Sequence, residues 1–214
     1  MEPTRISAIR HGETAWNVDT RLQGHLDIPL NEVGLRQAQH LAQTLVQRET
    51  IDAIYASDLS RAHSTAQAIA QAMGQSVTVH AGLRERHFGA FQGRTYAQIE
   101  TELPEHAWHW RKRTPDWAPP GGGESLTVLR ERVIQTVEAL AAAHAGQHIV
   151  MVAHGGVLDI LYRAAARLDL QAPRTWALTN TAVNRLLWTP QGLSLVGWGD
   201  TSHLDAVAKD ESSL

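Results

Sequence analysis

The sequence predicts an α/β fold: a three-layer α/β/α sandwich on a mostly parallel central sheet. Two observations predict it. Short apolar runs alternate with amphipathic segments through most of the chain, which is the pattern of successive βα units. The runs are apolar almost throughout, as strands covered on both faces are. At 214 residues the chain fits one domain spanning 1–214.

Residues 4–10 read as the first buried strand, and residues 11–31 as a polar, irregular stretch with Gly12, Gly24 and Pro29. A helix follows. Leu35, Ala38, Leu41, Ala42 and Leu45 fall on one face, and Asn31 stands where an N-cap is wanted. "DAIYAS" (52–57) is a second strand, running into a helix on which Ala62, Ala66, Ile69 and Met73 share a face. "SVTVH" (76–80) is a third, shorter one. Residues 82–123 break the pattern with "GLRERHFGAFQG", an aromatic and basic stretch, and "PPGGG"; they read as an insertion on the rim of the sheet, able to form a cap. A long helix starts near Glu124, striped by Leu126, Leu129, Val133, Val137 and Leu140. "HIVMVAH" (148–154) is a fourth strand, with a helix carrying Val157, Leu158, Leu161, Ala165 and Leu168 behind it. Residues 180–189 and 193–199 read as a hairpin around Pro190-Gln191-Gly192. The tail from about 203 is polar and expected to fray.

Composition narrows the function. The net charge of −3, from 19 basic and 22 acidic residues, gives no basic footprint for nucleic acid and no polybasic patch for a membrane surface. An anion site must therefore be built locally. The chain has no cysteine, so disulfides and thiolate chemistry are excluded and a cytoplasmic setting is expected. No apolar run reaches the roughly 18 residues of a membrane helix, and the N-terminus lacks the pattern of a signal peptide.

Ligands of open α/β sheets bind beyond the carboxyl ends of the strands. Three such ends carry related chemistry here. The first strand ends in Arg10-His11-Gly12, the second in Ser57-Asp58 with Arg61 one turn on, and the fourth in His154-Gly155-Gly156. Taken singly, each has a plain structural explanation: a strand-end histidine is usually a hydrogen-bonded structural residue, and a glycine there usually makes a turn. Taken together, Arg10, His11, Arg61 and His154 bring cations and imidazoles to one edge of one sheet, where helix N-termini add free N–H groups. That is a pocket for a dianion.

The run "RHGETAWN" (10–17) resembles the signature of the histidine phosphatase superfamily, also called phosphoglycerate-mutase-like. Five further segments fall in the family's order: "RLQGHLDIPLNEVGLRQA" (21–38), "YASDLSRAHSTA" (55–66), "LRERHFGAFQG" (83–93), "GGGESL" (121–126) and "VAHGG" (152–156). The resemblance covers about residues 4–200. It implies that His11 is the nucleophile, attacking phosphorus to give a phosphohistidine. It implies that Arg10, Arg61 and His154 hold the phosphoryl oxygens, with His154 expected to be protonated. Asn17, and with it Gln23 and Gly24, match the residues that contact phosphate or substrate. Glu85 stands in the proton donor's place, in preference to Glu124, because "L-x-E" before "FG" is the family's context.

A histidine is a nucleophile only when neutral, with one nitrogen free and the other N–H held by an acceptor. A strand end supports it rigidly. Two guanidinium groups grip phosphoryl oxygens through planar forks, work that other phosphoryl-transfer enzymes give to magnesium. No metal and no other cofactor is therefore expected. The phosphatase branch is preferred to a cofactor-dependent phosphoglycerate mutase, for which 2,3-bisphosphoglycerate would be the cofactor, because the Lys-rich insertion of the mutases is missing. A non-catalytic phosphate-binding protein on the same fold is the third reading, and the presence of all five catalytic positions argues against it. The expected partner is a small phosphorylated metabolite, and the resemblance allows a homodimer. His106 and His109 lack an evident third metal ligand. Arg111-Lys112-Arg113 can reach a remote anionic group or simply be solvated, and Trp108, Trp110 and Trp117 pack the insertion or line a pocket. Substrate choice is expected to lie in residues 82–123.

Overall fold

The N-terminal apolar run forms strand β1 (Thr4–Arg10) at the expected bounds. In this computed structural model, which describes residues 2–204, it is followed by a single turn of helix, α1 (Ala15–Val18), and then by α2 (Glu32–Arg48), β2 (Ala53–Ala56), α3 (Ser60–Met73) and β3 (Val77–Val79). Two 3-10 turns, Ala81–Leu83 and Gly89–Phe91, and two short helices, α4 (Tyr96–Glu102) and α5 (Pro104–Arg111), occupy much of the stretch expected as a rim insertion. Next come α6 (Leu126–Ala142), β4 (His148–Ala153), α7 (Gly155–Ala165), and β5 (Val183–Thr189) with β6 (Gly192–Asp200).

The strands form one sheet in the order β3-β2-β4-β1-β5-β6. The first four in sequence run parallel, and the hairpin adds two antiparallel strands beside β1. Every residue of β4 is buried, as its unbroken apolar run requires of a strand flanked by β2 and β1 and covered on both faces. Alternate residues feed opposite cores. Ile6, Ala8, Ile149 and Met151 meet α6 and α7, whereas Ile9, Ile54, Val150 and Val152 meet α2 and α3. Each fully buried Ile, Leu or Val side chain contributes about 1.5–3 kcal/mol relative to exposure, and these stripes fix the helices to the sheet.

Helix ends follow local chemistry. The Asn31 side chain accepts the Gly34 N–H at 2.8 Å, the expected cap, and Ser125 does the same for Val128 at the start of α6. The residue at the cap of α3, Leu59, has no side-chain oxygen; Asp27, from the loop before α2, accepts the Ser60 N–H at 2.7 Å instead. Two expectations on helix faces are corrected. Leu35 is exposed, because Gly34 is the residue that packs at that end of α2: a Cβ there would sit 2.1 Å from the Glu13 carbonyl oxygen. Leu168 is also exposed, because α7 stops at Ala165. The expected fraying tail begins too early as well: His203 is buried against Thr181, and residues 205–214 lie outside the described residues. No helix among the described residues is long and apolar enough to cross a membrane.

Residues 82–123 gather around a small apolar cluster of their own, Phe88, Phe91, Ile99 and Ala107, with Trp110 and Trp117 against it. The chain leaves β1 toward α2 on one face of the sheet and leaves β4 toward α7 on the other. Since β1 and β4 are neighbours, a crevice opens beyond their carboxyl ends, where ligands of such sheets bind.

Candidate active site

His11 follows β1, and its backbone N–H still donates to the Ala153 carbonyl of β4 at 3.0 Å. His154 follows β4 directly. The pairing Arg10↔Ala153 thus sets the two imidazoles side by side, with ring centroids 5.2 Å apart. The Gly12 carbonyl lies 2.7 Å from His11 Nδ1. A carbonyl can only accept, so Nδ1 carries the proton and Nε2 keeps its lone pair. Burial, followed by the fields of Arg10 and Arg61, pushes the His11 pKa well below the usual histidine range. The ring is neutral, in the tautomer a nucleophile needs.

The cations converge on this ring. Arg61, on the first turn of α3, is almost wholly buried; its terminal nitrogens donate to the Gly24 carbonyl at 2.7 Å and the Leu26 carbonyl at 2.9 Å. Arg10 donates through Nη1 to the Leu178 carbonyl at 2.5 Å. Buried Nε atoms of both arginines, and both ring nitrogens of the fully buried His154, have no hydrogen-bond partner among the described residues. Burial is the main cause holding the Arg10 and Arg61 guanidiniums below their usual values, and Glu85 offsets part of it. Burial, then Arg61, His11 and Arg10, push the pKa of His154 well below the usual range, so the ring is neutral without an anion beside it, and the protonated form expected from the sequence needs the charge of a bound phosphoryl group. A phosphoryl dianion would reverse that field.

Glu85 reaches the same centre from the other side. Gly156 N–H donates to both carboxylate oxygens, at 3.0 and 3.1 Å, and Arg86 N–H to one at 2.8 Å. Gly156 has to be glycine here, since a Cβ would lie 2.3 Å from Glu85 Oε1. At Gly155 an added Cβ would be 3.8 Å from both Arg10 Nε and Glu85 Oε2, so both side chains lie over the start of α7. Glu124, the alternative carboxylate, is held elsewhere by both nitrogens of an Arg132 fork at 2.8 and 2.7 Å.

The remaining expected residues act at one remove in this structure. The Asn17 carboxamide oxygen caps α1 by accepting the Thr14 N–H and hydroxyl. Gly24 lends its carbonyl to Arg61. Gln23 is buried, with Oε1 unpartnered among the described residues. Sequence reasoning missed three supports. Thr65 accepts the Gly12 N–H at 3.0 Å and donates to the Arg61 carbonyl at 2.8 Å, tying the turn after His11 to α3. Asn180 donates to the His11 carbonyl at 2.7 Å. Leu178 holds Arg10 by a carbonyl, which no side-chain pattern can announce. Thr65 lay inside a recognised segment, one turn beyond Arg61, and that spacing was its available signal.

A cavity of ≈ 730 Å3 is lined by Arg10, Gly155 and Gly156 beside the site and by Arg86, Trp110 and Arg113 of the 82–123 segment. Arg113 donates to Asp159 on α7 at 2.7 Å, so the 82–123 segment is tied to the helix that carries Gly156. Burial pushes Arg86 down to about 10, and its guanidinium lies 5.1 Å from the centroid of Trp110. His106 and His109 serve packing: His109 stacks on Trp117 at 5.3 Å. Among the described residues no group of three or more His, Cys, Asp or Glu could hold a metal ion.

Comparison with known proteins agrees with this geometry. The model of the histidine phosphatase superfamily (branch 1) matches residues 6–201, and the chain belongs to that superfamily. Its members and relatives make it a phosphomonoesterase by class. It is 40% identical over 207 residues to phosphoglycerate mutase-like protein 4 of Arabidopsis thaliana, covering 96% of this chain and 89% of that one. With the metal-independent phosphoserine phosphatase of the same plant it shares 37% identity, over 96% and 85% of the two chains. The solved mycobacterial glucosyl-3-phosphoglycerate phosphatase superposes with a TM-score of 0.81 at 32% identity, covering 94% of this chain and 100% of the other.

Proposed function

We propose that the chain hydrolyses small phosphomonoesters through a phosphohistidine on His11. The observation that carries this is the set of buried, unpartnered nitrogens of Arg10, Arg61 and His154 around a neutral histidine whose Nδ1–H is locked to a carbonyl. His11 Nε2 attacks phosphorus, the N–P bond forms and the ester P–O bond breaks. Glu85 gives its proton to the leaving alkoxide. The Glu85 carboxylate then takes a proton from water, the hydroxide attacks phosphorus, the N–P bond breaks, and phosphate leaves with histidine and carboxylic acid restored. Charge on the phosphoryl oxygens is met by Arg10, Arg61 and an imidazolium at His154, formed as the dianion binds.

Asn17, Gln23 and Gly24 belong to the substrate side of this reading, Gly24 by fixing Arg61. The scheme needs no metal or organic cofactor, in keeping with the metal-independent relative. A cytoplasmic setting goes with a chain that has no cysteine. The named phosphatases among the relatives favour transfer to water over transfer to a second substrate. The test is an assay with p-nitrophenyl phosphate beside a 3-phosphoglycerate mutase assay, with and without 2,3-bisphosphoglycerate. Hydrolysis that His11→Ala reduces below a few per cent of the native rate is expected. Bisphosphoglycerate-dependent mutase turnover exceeding hydrolysis would overturn the reading.

A further inference from the structure

His25 stands in the loop between α1 and α2, half-buried, beside the segment that carries Glu85. Its Nε2 lies 2.8 Å from the Glu85 carbonyl oxygen. A carbonyl can only accept, so Nε2 carries the proton and donates. That carbonyl belongs to the same peptide unit as the Arg86 N–H, which donates to the Glu85 carboxylate at 2.8 Å. A trans peptide is planar, with its C=O and N–H pointing opposite ways. Fixing the carbonyl on one side therefore aims the N–H at the carboxylate on the other. Arg132 Nη2 also reaches this carbonyl, but at 3.4 Å, and it is held more closely by Glu124 Oε2 at 2.7 Å. The short bond is the imidazole's.

The loop that carries His25 is itself pinned. The His25 backbone N–H donates to Gln92 Oε1 at 2.8 Å. The Gln92 carboxamide lies against Gly24, which has a left-handed φ of 56° and where a Cβ would sit 2.2 Å from Gln92 Oε1. The carbonyls of Gly24 and Leu26, on either side of His25, are those that hold Arg61. The His25 ring meets His87 edge-on, with centroids 4.8 Å apart. One turn of chain thus holds the guanidinium clamp by its backbone and the proposed proton donor by its side chain. Filling this space would need only a ring; the N–H aimed at a carbonyl is the additional feature.

We infer that His25 is a positioning residue for Glu85: its Nε2–H fixes the Glu85–Arg86 peptide so that the carboxyl group is held where it can protonate the leaving group. This rests on the phosphatase reading above, with Glu85 as proton donor. The probes are phenyl phosphate, whose phenolate needs a proton to leave, and 2,4-dinitrophenyl phosphate, whose phenolate leaves without one. The readout is kcat/KM, which covers the steps up to release of the phenol. His25→Phe keeps a ring against His87 and removes the donor. His25→Asn, whose amide falls short of the carbonyl, gives the same reading should the phenyl ring not be accommodated. His25→Gln carries an N–H donor as many bonds from Cβ as the imidazole does. Glu85→Gln, with no proton to give, is expected to raise the dinitrophenyl-to-phenyl ratio of kcat/KM by about 10²–10⁴ over the native value. His25→Phe and His25→Asn are expected to raise it by on the order of 10-fold, a part of that range, and His25→Gln to return it toward the native value. Equal losses on both esters in His25→Phe and His25→Asn, beside a raised ratio in Glu85→Gln, would overturn the positioning role alone. So would a ratio in His25→Gln as high as that in His25→Phe. An unchanged ratio in Glu85→Gln would instead remove the proton donor from the phosphatase reading, and the positioning role with it.

Discussion

Glycine 156 shows how much of the site is decided by one missing atom. Its N–H holds both oxygens of Glu85, and there is no room for a methyl group between them. Gly156→Ala is expected to displace Glu85 and to cost about 10²–10⁴ in kcat, the range of a general acid, while circular dichroism stays native. A variant with near-native kcat would mean that Glu85 is not the proton donor. Arg61 is a sharper case, since its terminal nitrogens hold two backbone carbonyls and its Nε is left without a partner among the described residues. Arg61→Lys cannot satisfy both carbonyls and a phosphoryl oxygen, so a loss of roughly 10²–10³ in kcat is expected even from this conservative change. At this scale the sequence was readable where a side chain carries the proposed chemistry. His11, Arg61 and Glu85 stand in recognisable runs. Asn180 and the Leu178 carbonyl do not, because they reach the site across a chain separation that no local pattern encodes.

The elements matter through where they end. Helix α2 packs its first turn onto the backbone of Glu13, and it does so through Gly34. Gly34→Ala is expected to push α2 off the turn that carries His11, costing about 1–3 kcal/mol of stability as overpacking does, together with activity. A denaturant midpoint indistinguishable from the native one would contradict this packing. The periodicity of α2 was legible from Ala38 to Leu45, yet the same rule pointed to Leu35, which is exposed. A hydrophobic stripe reports which side chains can be buried; it is blind to a contact made by backbone against backbone. The same reason explains α3. Its start has no capping side chain in its own sequence and takes Asp27 from a distant loop. Strand order was likewise hidden, since the placement of β1 between β4 and β5 depends on how helices cover the sheet.

For the whole molecule, the site is a store of unfavourable burial. His11 and His154 are neutral and lie well below the ordinary histidine pKa of 6.5, mainly through burial. The unfolded chain binds protons at these two positions as the pH falls below about 6.5, and the folded chain does so only at lower pH. Stability from these groups is therefore complete above that value and declines as the pH drops. The melting temperature is expected to fall between pH 7 and 5, and by less in a His11→Asn, His154→Asn double variant. Inorganic phosphate should oppose the fall, because its charge favours the protonated His154; a melting curve insensitive to both would contradict the electrostatic picture. The central claim is tested most directly by mixing the protein with a phosphomonoester, quenching in alkali within milliseconds, and mapping the peptides by mass spectrometry. One phosphoryl group on the peptide carrying His11, stable to base and lost in acid, is the predicted result. A competent enzyme with no such adduct, or with the phosphoryl group on another residue, would contradict it.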